Sequence, residues 1–298
     1  MADAEGKKAA KTFHLDVPVS TSGFFIKGMN NTDWGLKNRL SRMFRPDSGN
    51  TVMLAFDHGY IMGATSGLER MDITVPPLTD YVDVLMATRG AIRTSISPLT
   101  DKAVCIRATH DSSVLFDDMS QGNGLALDIE EAVRMNASAL AVQCFIGSKG
   151  EATSLETLCR TIDSCTKYGI PVLAVTAVGK EMERTSKYFM LATRILAELG
   201  ASAVKTYYCD NFEKVVATCP VPIVIAGGKK VSESEALTMA YRAINEGASG
   251  VDMGRNIFQS ENPIAMCRAI QKVVHEKYTD KQAYEFYLSL SNEPCKKE

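Results

Sequence analysis

One lysine interrupts an otherwise apolar run. In Ala203-Val204-Lys205-Thr206-Tyr207-Tyr208 the flanking residues read as a buried strand. An amine placed there either reaches water at the strand end or is desolvated, and desolvation favours its neutral, nucleophilic form. A neutral amine is the starting equipment for Schiff-base chemistry. Lys180 or Lys229, if brought near, would push the same way through like charge; a solvated surface lysine is the alternative for each. A second reactive pair stands in Phe56-Asp57-His58-Gly59. A carboxylate and an imidazole at a strand end serve proton transfer, or they brace a loop by hydrogen bonding. Gln143 and Thr176 fall near two further strand ends.

Two segments combine glycine with a cation: Ala226-Gly227-Gly228-Lys229-Lys230, with Ser232 opening the helix that follows, and Asp252-Met253-Gly254-Arg255-Asn256. Glycine lets an anion approach backbone N–H groups, although a lone Gly-Gly is also an ordinary tight turn. Two such loops on consecutive strand ends predict a phosphate monoester held by Gly227, Gly228, Lys229, Gly254 and Arg255. Arg255 suits bidentate contact to phosphate oxygens; a surface ion pair is its other reading. Arg89, Arg93 and Arg107 line the same mouth or pair with acidic neighbours. The eight cysteines, at 105, 144, 159, 165, 209, 219, 267 and 295, form no CxxC pair and read as reduced thiols. Cys144 and Cys209, at strand ends, border a pocket or simply fill core space. His14, His110 and His275 are scattered without metal-ligand spacing, so no metal site is expected.

The elements that must position these groups are short β-branched or aliphatic runs. They span 51–57, 82–88, 103–108, 139–146, 172–177, 203–207, 222–226 and 250–253. Most are continuously apolar, the pattern of parallel strands covered on both faces. Helical spacing fills 128–136, 155–167, 188–199 and 232–246, while the connections after the second and sixth strands leave room only for short helices. Gly169 with Pro171, Gly200 and Gly247 mark helix ends, and Asn262-Pro263 opens the last helix. Eight strand–helix repeats over about 250 residues predict a single (β/α)8 TIM barrel. A doubly wound sheet is the rival, but no GxGxxG opens the first helix. Residues 1–50 are read as an N-terminal extension with an amphipathic segment from Asp33 to Phe44, 51–277 as the barrel, and 278–298 as a C-terminal helix and tail. Both tails are expected to cover barrel openings or a subunit interface.

With 298 residues, of which 45% are hydrophobic, the chain can bury a large core. Its net charge of −2 offers no general attraction to nucleic acid or an anionic membrane. Any anionic ligand must be caught by local groups. No segment has the length of a membrane span, and the start lacks an apolar secretory core, so a cytoplasmic location is expected.

The motifs Phe56-Asp57-His58-Gly59, Val204-Lys205-Thr206-Tyr207, Ala226-Gly227-Gly228-Lys229 and Asp252-Met253-Gly254-Arg255-Asn256, in this order, resemble the class I aldolase family. That family includes archaeal-type fructose-bisphosphate aldolase and deoxyribose-phosphate aldolase. Asp33-Trp34-Gly35, Gly67-Leu68-Glu69-Arg70 and the run from Gly247 to Ser260 extend the similarity, over almost the whole chain, to its autoinducer-2 processing thiolase branch. The resemblance implies Lys205 as the Schiff-base lysine, Asp57 beside the reacting carbons, and the Gly227-Gly228 and Gly254-Arg255 loops around the phosphate. It further implies a phosphorylated diketone as substrate, coenzyme A as co-substrate without a covalently bound cofactor, dihydroxyacetone phosphate and acetyl-CoA as products, and a homo-oligomer such as a decamer. Val175-Thr176-Ala177-Val178-Gly179 lacks the tyrosine proton donor that the resemblance to fructose-bisphosphate aldolases implies at the end of strand five. That departure favours the thiolase branch over a plain sugar-phosphate aldolase; a non-catalytic sugar-phosphate binding barrel is a further alternative.

Overall fold

The structure is a computed structural model that describes residues 16–18, 23–178 and 183–291. Eight parallel strands close into a barrel: β1 (Thr51–Ala55), β2 (Val84–Ala87), β3 (Ala103–Arg107), β4 (Ala139–Cys144), β5 (Val172–Thr176), β6 (Ala203–Tyr207), β7 (Ile223–Ala226) and β8 (Gly250–Met253). Each pairs with its sequence neighbours, and β8 closes on β1 with Thr51 opposite Gly250 and Leu54 opposite Met253. The chain therefore has the (β/α)8 TIM-barrel fold that its repeats predict.

The strands lack alternation in sequence because both of their faces are buried in apolar surroundings. Met53 and Ala55, Val84 and Met86, Ala103 and Cys105, and Leu173 and Val175 point inward and form one cluster. Val52, Leu54, Leu85, Ile106, Val172 and Val204 point outward and pack with the helices. Period two is thus present in direction but absent in hydropathy. The outer layer includes Glu151–Thr166, Ser186–Glu198, Glu233–Asn245 and Pro263–Glu276, while the connections after β2 and β6 carry only Arg89–Ser95 and Phe212–Thr218. Helix starts follow the expected chemistry. Ser232 and Glu235 form a reciprocal capping box, and the Asn262 side chain, just before Pro263 begins the helix, accepts from the Ala265 N–H.

The helix Trp34–Met43, capped by the Asp33 side chain, inserts Leu36, Leu40, Met43 and the following Phe44 into the inward-facing cluster. It closes the barrel at the end where the strands begin. Gly169, just before β5, has φ +61, and a Cβ there would meet Asp33 and the Leu36 backbone, so glycine lets the helix start come this close. Leu40, Met43 and Phe44 are essentially buried, each worth about 1.5–3 kcal/mol of apolar transfer. The other tail behaves differently. Asp280–Ser291 packs on Glu233–Asn245 and Pro263–Glu276, on the flank of the helical ring and not over an opening. Among the described residues no helix is long and apolar enough to cross a membrane.

Candidate active site

The open end of the barrel, where the strands finish, holds a cavity of about 290 Å3. Its lining includes Asp57, His58, Lys205, Gly227, Gly228, Gly254 and Arg255, together with Gln143, Thr176 and Arg107. Strand direction explains the convergence. Along β6 Ala203 and Lys205 alternate inward, so the lysine stands one step above a filled apolar layer and spans the interior. Its Nζ lies 2.7 Å from Asp252 Oδ2 of β8 and 3.8 Å from Met86 Sδ of β2.

Asp252 was legible as a charge inside the strand Gly250–Met253, by the logic that singles out Lys205, yet the sequence reading treats it only as part of a glycine motif. The carboxylate is 1% exposed. Burial raises its proton affinity, and nearby Lys205 only partly offsets this. Its contact with the amine is charge to charge: neither carboxylate oxygen has a well-directed hydrogen bond among the described residues.

On the opposite wall Arg107 Nε donates to Asp57 Oδ2 at 2.8 Å, and its Nη2 lies 2.7 Å from the same oxygen. Arg107 Nη1 donates to Gln143 Oε1 at 3.2 Å. Burial pushes the Asp57 carboxyl up, but the Arg107 guanidinium and the Lys205 amine outweigh it and hold the group below its usual range. Asp57 is therefore ionised and oriented. Of Arg89, Arg93 and Arg107, Arg107 lines the cavity, whereas Arg93 pairs with Glu131 at 3.6 Å and Arg89 is exposed on its helix. Burial lowers the His58 imidazole to about 4 despite Asp57, whose Oδ1 lies 4.0 Å from Nδ1. At neutral pH His58 is uncharged, its ring set edge-on against Phe258.

A polar layer that the sequence does not reveal supports this wall. Tyr60 donates to Asp111 Oδ2 at 2.5 Å, Asn123 Nδ2 donates to Asp111 Oδ1 at 2.7 Å, and Arg107 lies over the Tyr60 ring at 5.3 Å. Neither Cys144 nor Cys209 lines the cavity. Burial pushes Cys209 up to about 11 and Cys144 higher still. Neither is a nucleophile at neutral pH.

The two glycine loops are tied together by Asn256, which is fully buried. Its Nδ2 donates to Gly227 O at 2.7 Å and Lys229 O at 3.3 Å, and its Oδ1 accepts from the Val231 N–H at 2.9 Å. Gly228 turns through φ +69, and a Cβ on Gly254 would strike the Ala55 carbonyl and the His58 ring. Arg255 is half-buried, with an Nε that has no partner among the described residues. Lys229 differs from expectation. Asn256 draws its carbonyl inward, the side chain is exposed, and it does not line the cavity. Lys180, Gly179, His14 and Cys295 lie outside the described residues.

Among the described residues no group of three or more His, Cys, Asp or Glu side chains could hold a metal ion. A larger groove, about 580 Å3, lies outside the barrel between Ile129–Arg134 and Glu151–Thr166. It contains none of the groups above.

The model of the DeoC/LacD family of aldolases matches residues 51–260. A 3-hydroxy-5-phosphonooxypentane-2,4-dione thiolase of Escherichia coli O139:H28 (strain E24377A / ETEC) is 52% identical over 290 residues, covering 97% of this chain and 99% of that protein. A thiolase of the same name from Salmonella paratyphi A (strain ATCC 9150 / SARB42) is 51% identical over the same shares. Among solved structures, a Schiff-base-forming fructose-1,6-bisphosphate aldolase is 25% identical with a TM-score of 0.72, over 80% of this chain and 99% of that one.

Proposed function

The chain belongs to the DeoC/LacD family of aldolases, and from that membership we propose that it is a Schiff-base-forming thiolase. It moves the acetyl group of 3-hydroxy-5-phosphonooxypentane-2,4-dione to coenzyme A, the co-substrate. The observation that carries this reading is Lys205 Nζ inside the barrel, 2.7 Å from the buried Asp252 carboxylate and in one cavity with two glycine loops. The thiolase names of relatives about half identical over nearly their whole length choose the reaction.

Asp252 takes the ammonium proton of Lys205, which removes two charges from a dry site at once. The free amine attacks the substrate ketone nearer the phosphate, and loss of water leaves an iminium. The coenzyme A thiol, as thiolate, adds to the acetyl carbonyl. When that adduct collapses, the bond between the acetyl carbon and the hydroxyl-bearing carbon breaks, and its electron pair flows into the iminium to give an enamine. Protonation at that carbon and hydrolysis release dihydroxyacetone phosphate and the amine, with acetyl-CoA as the other product. The ionised Asp57, fixed by Arg107, orients the substrate hydroxyl. His58, neutral and weakly basic, shapes the wall beside Gly254. Gly227, Gly228, Gly254 and Arg255 hold the phosphate, whose binding orients the reacting carbons from a distance.

The same lysine and loops would serve an aldolase acting on a sugar phosphate, and the likeness to a Schiff-base-forming aldolase favours that second reading. The wall after β5 is made of Thr176, Ala177 and Val178, none of which is the phenol expected of such an aldolase. Borohydride reduction in the presence of the phosphorylated diketone should fix one adduct on Lys205 and none on Lys205→Ala. Acetyl-CoA should form only when coenzyme A is present. An adduct elsewhere sinks the lysine assignment, and turnover without coenzyme A returns the aldolase reading.

A further inference from the structure

One exposed arginine, outside both glycine loops, lies against Tyr207 and Gly228 of the cavity wall. Arg184 precedes the helix Ser186–Glu198, whose start is fixed by the Thr185 hydroxyl accepting from the Tyr188 N–H. Its guanidinium carbon lies 3.9 Å above the ring centroid of Tyr207, the last residue of β6. Its Nη1 stands 3.9 Å from the point a Cβ on Gly228 would occupy, beside the Tyr207 ring edge. Stacking fixes the plane of a guanidinium while leaving the in-plane N–H donors open to an oxyanion. Lys230 of the loop after β7 is paired with Glu233, whereas among the described residues no carboxylate pairs with Arg184.

We propose that Arg184, beside Gly228, joins Arg255 as the second cation of the phosphate site and selects phosphorylated over unphosphorylated substrate. A phosphate monoester carries between one and two negative charges near neutral pH. Gly227, Gly228 and Gly254 supply close backbone approach and Arg255 one full charge; Arg184 supplies the other. The stack on Tyr207 orders it before substrate arrives, so little rotamer freedom is lost on binding. The inference rests on the reading of the substrate as a phosphate monoester.

The test compares Arg184→Ala, Arg184→Lys and Arg255→Ala with the unaltered protein. It measures KM for the phosphorylated diketone, KM for coenzyme A, and competitive inhibition by inorganic phosphate. Loss of one solvent-accessible charge-assisted contact should raise the diketone KM and the phosphate inhibition constant in Arg184→Ala by about tenfold. The coenzyme A KM and kcat should stay near their starting values, and Arg184→Lys should recover part of the loss. A KM increase confined to coenzyme A overturns the proposal, as does a fall in kcat with both KM values unchanged. If Arg255→Ala raises the diketone KM and Arg184→Ala does not, this inference alone fails. If neither does, the phosphate reading falls with it.

Discussion

His58 shows how a single side chain can look catalytic and yet be set to another task. Its ring lines the cavity, its Nδ1 has no hydrogen-bond partner among the described residues, and burial holds it near pKa 4. The imidazole is therefore neutral over the range in which a general base is useful. This shift also ties folding to pH. Above about 6.5 the imidazole is neutral both folded and unfolded, and its contribution is constant. As pH falls from about 6.5 to about 4, only the unfolded chain takes up the proton, so stability is lost; below about 4 both states are protonated and the loss stops. The two values bound this contribution at about 3 kcal/mol. Urea denaturation of the unaltered protein and of His58→Gln, at pH 7, 5.5 and 4.5, should show a shallower acid-side decline in the variant. Equal slopes would mean that the ring is solvated and free to protonate in the folded state.

At the scale of elements, the site depends on two loops that meet only because β7 and β8 are neighbours in the barrel. The strand ends place Gly227 and Gly254 side by side, and Asn256 converts adjacency into a fixed distance by bonding both Gly227 and Lys229 from the turn after Gly254. The amide also satisfies the Val231 N–H, which leads into the capping box at Ser232. Removing it strands three backbone groups, at a cost of about 1–3 kcal/mol for those left buried. Asn256→Ala should thus lower the denaturation midpoint and raise KM for the phosphorylated diketone severalfold, because the cradle loses its spacing. Asn256→Asp should keep the bond from Val231 while losing both donated bonds, and so should not restore KM. An unchanged KM in both variants would show that the loops hold their positions without the amide.

For the whole molecule, legibility in sequence follows the range over which each interaction acts. The strands and their order could be read because each run is buried on two faces and bounded by its own turn residues. Lys205 could be read because a charge in such a run needs a reason, and Asp252 in Gly250–Met253 obeys the same rule. The choice among Arg89, Arg93 and Arg107 could not, since only the barrel's closure decides which guanidinium meets Asp57 across 50 residues of sequence. Tyr60 and Asp111, from loops after different strands, carried no local signal either. The helix Trp34–Met43 was readable as amphipathic, but its place beneath the barrel depends on the inward layer formed by several strands together. That layer separates floor from mouth: Leu40 and Phe44 sit below Met53, Val84 and Leu173, while Lys205 and Asp252 stand above. The floor should accordingly govern stability with little influence on chemistry. Leu40→Ala empties space behind a side chain that is 0% exposed and should cost about 2–5 kcal/mol in chemical denaturation. Because distant sites without shared partners act nearly independently, kcat and KM under conditions where the variant remains folded should hold within about twofold. A larger change in KM would show that packing strain passes through the filled layer, Met86 being the link, since it belongs to the apolar cluster and its sulfur lies 3.8 Å from the Lys205 amine.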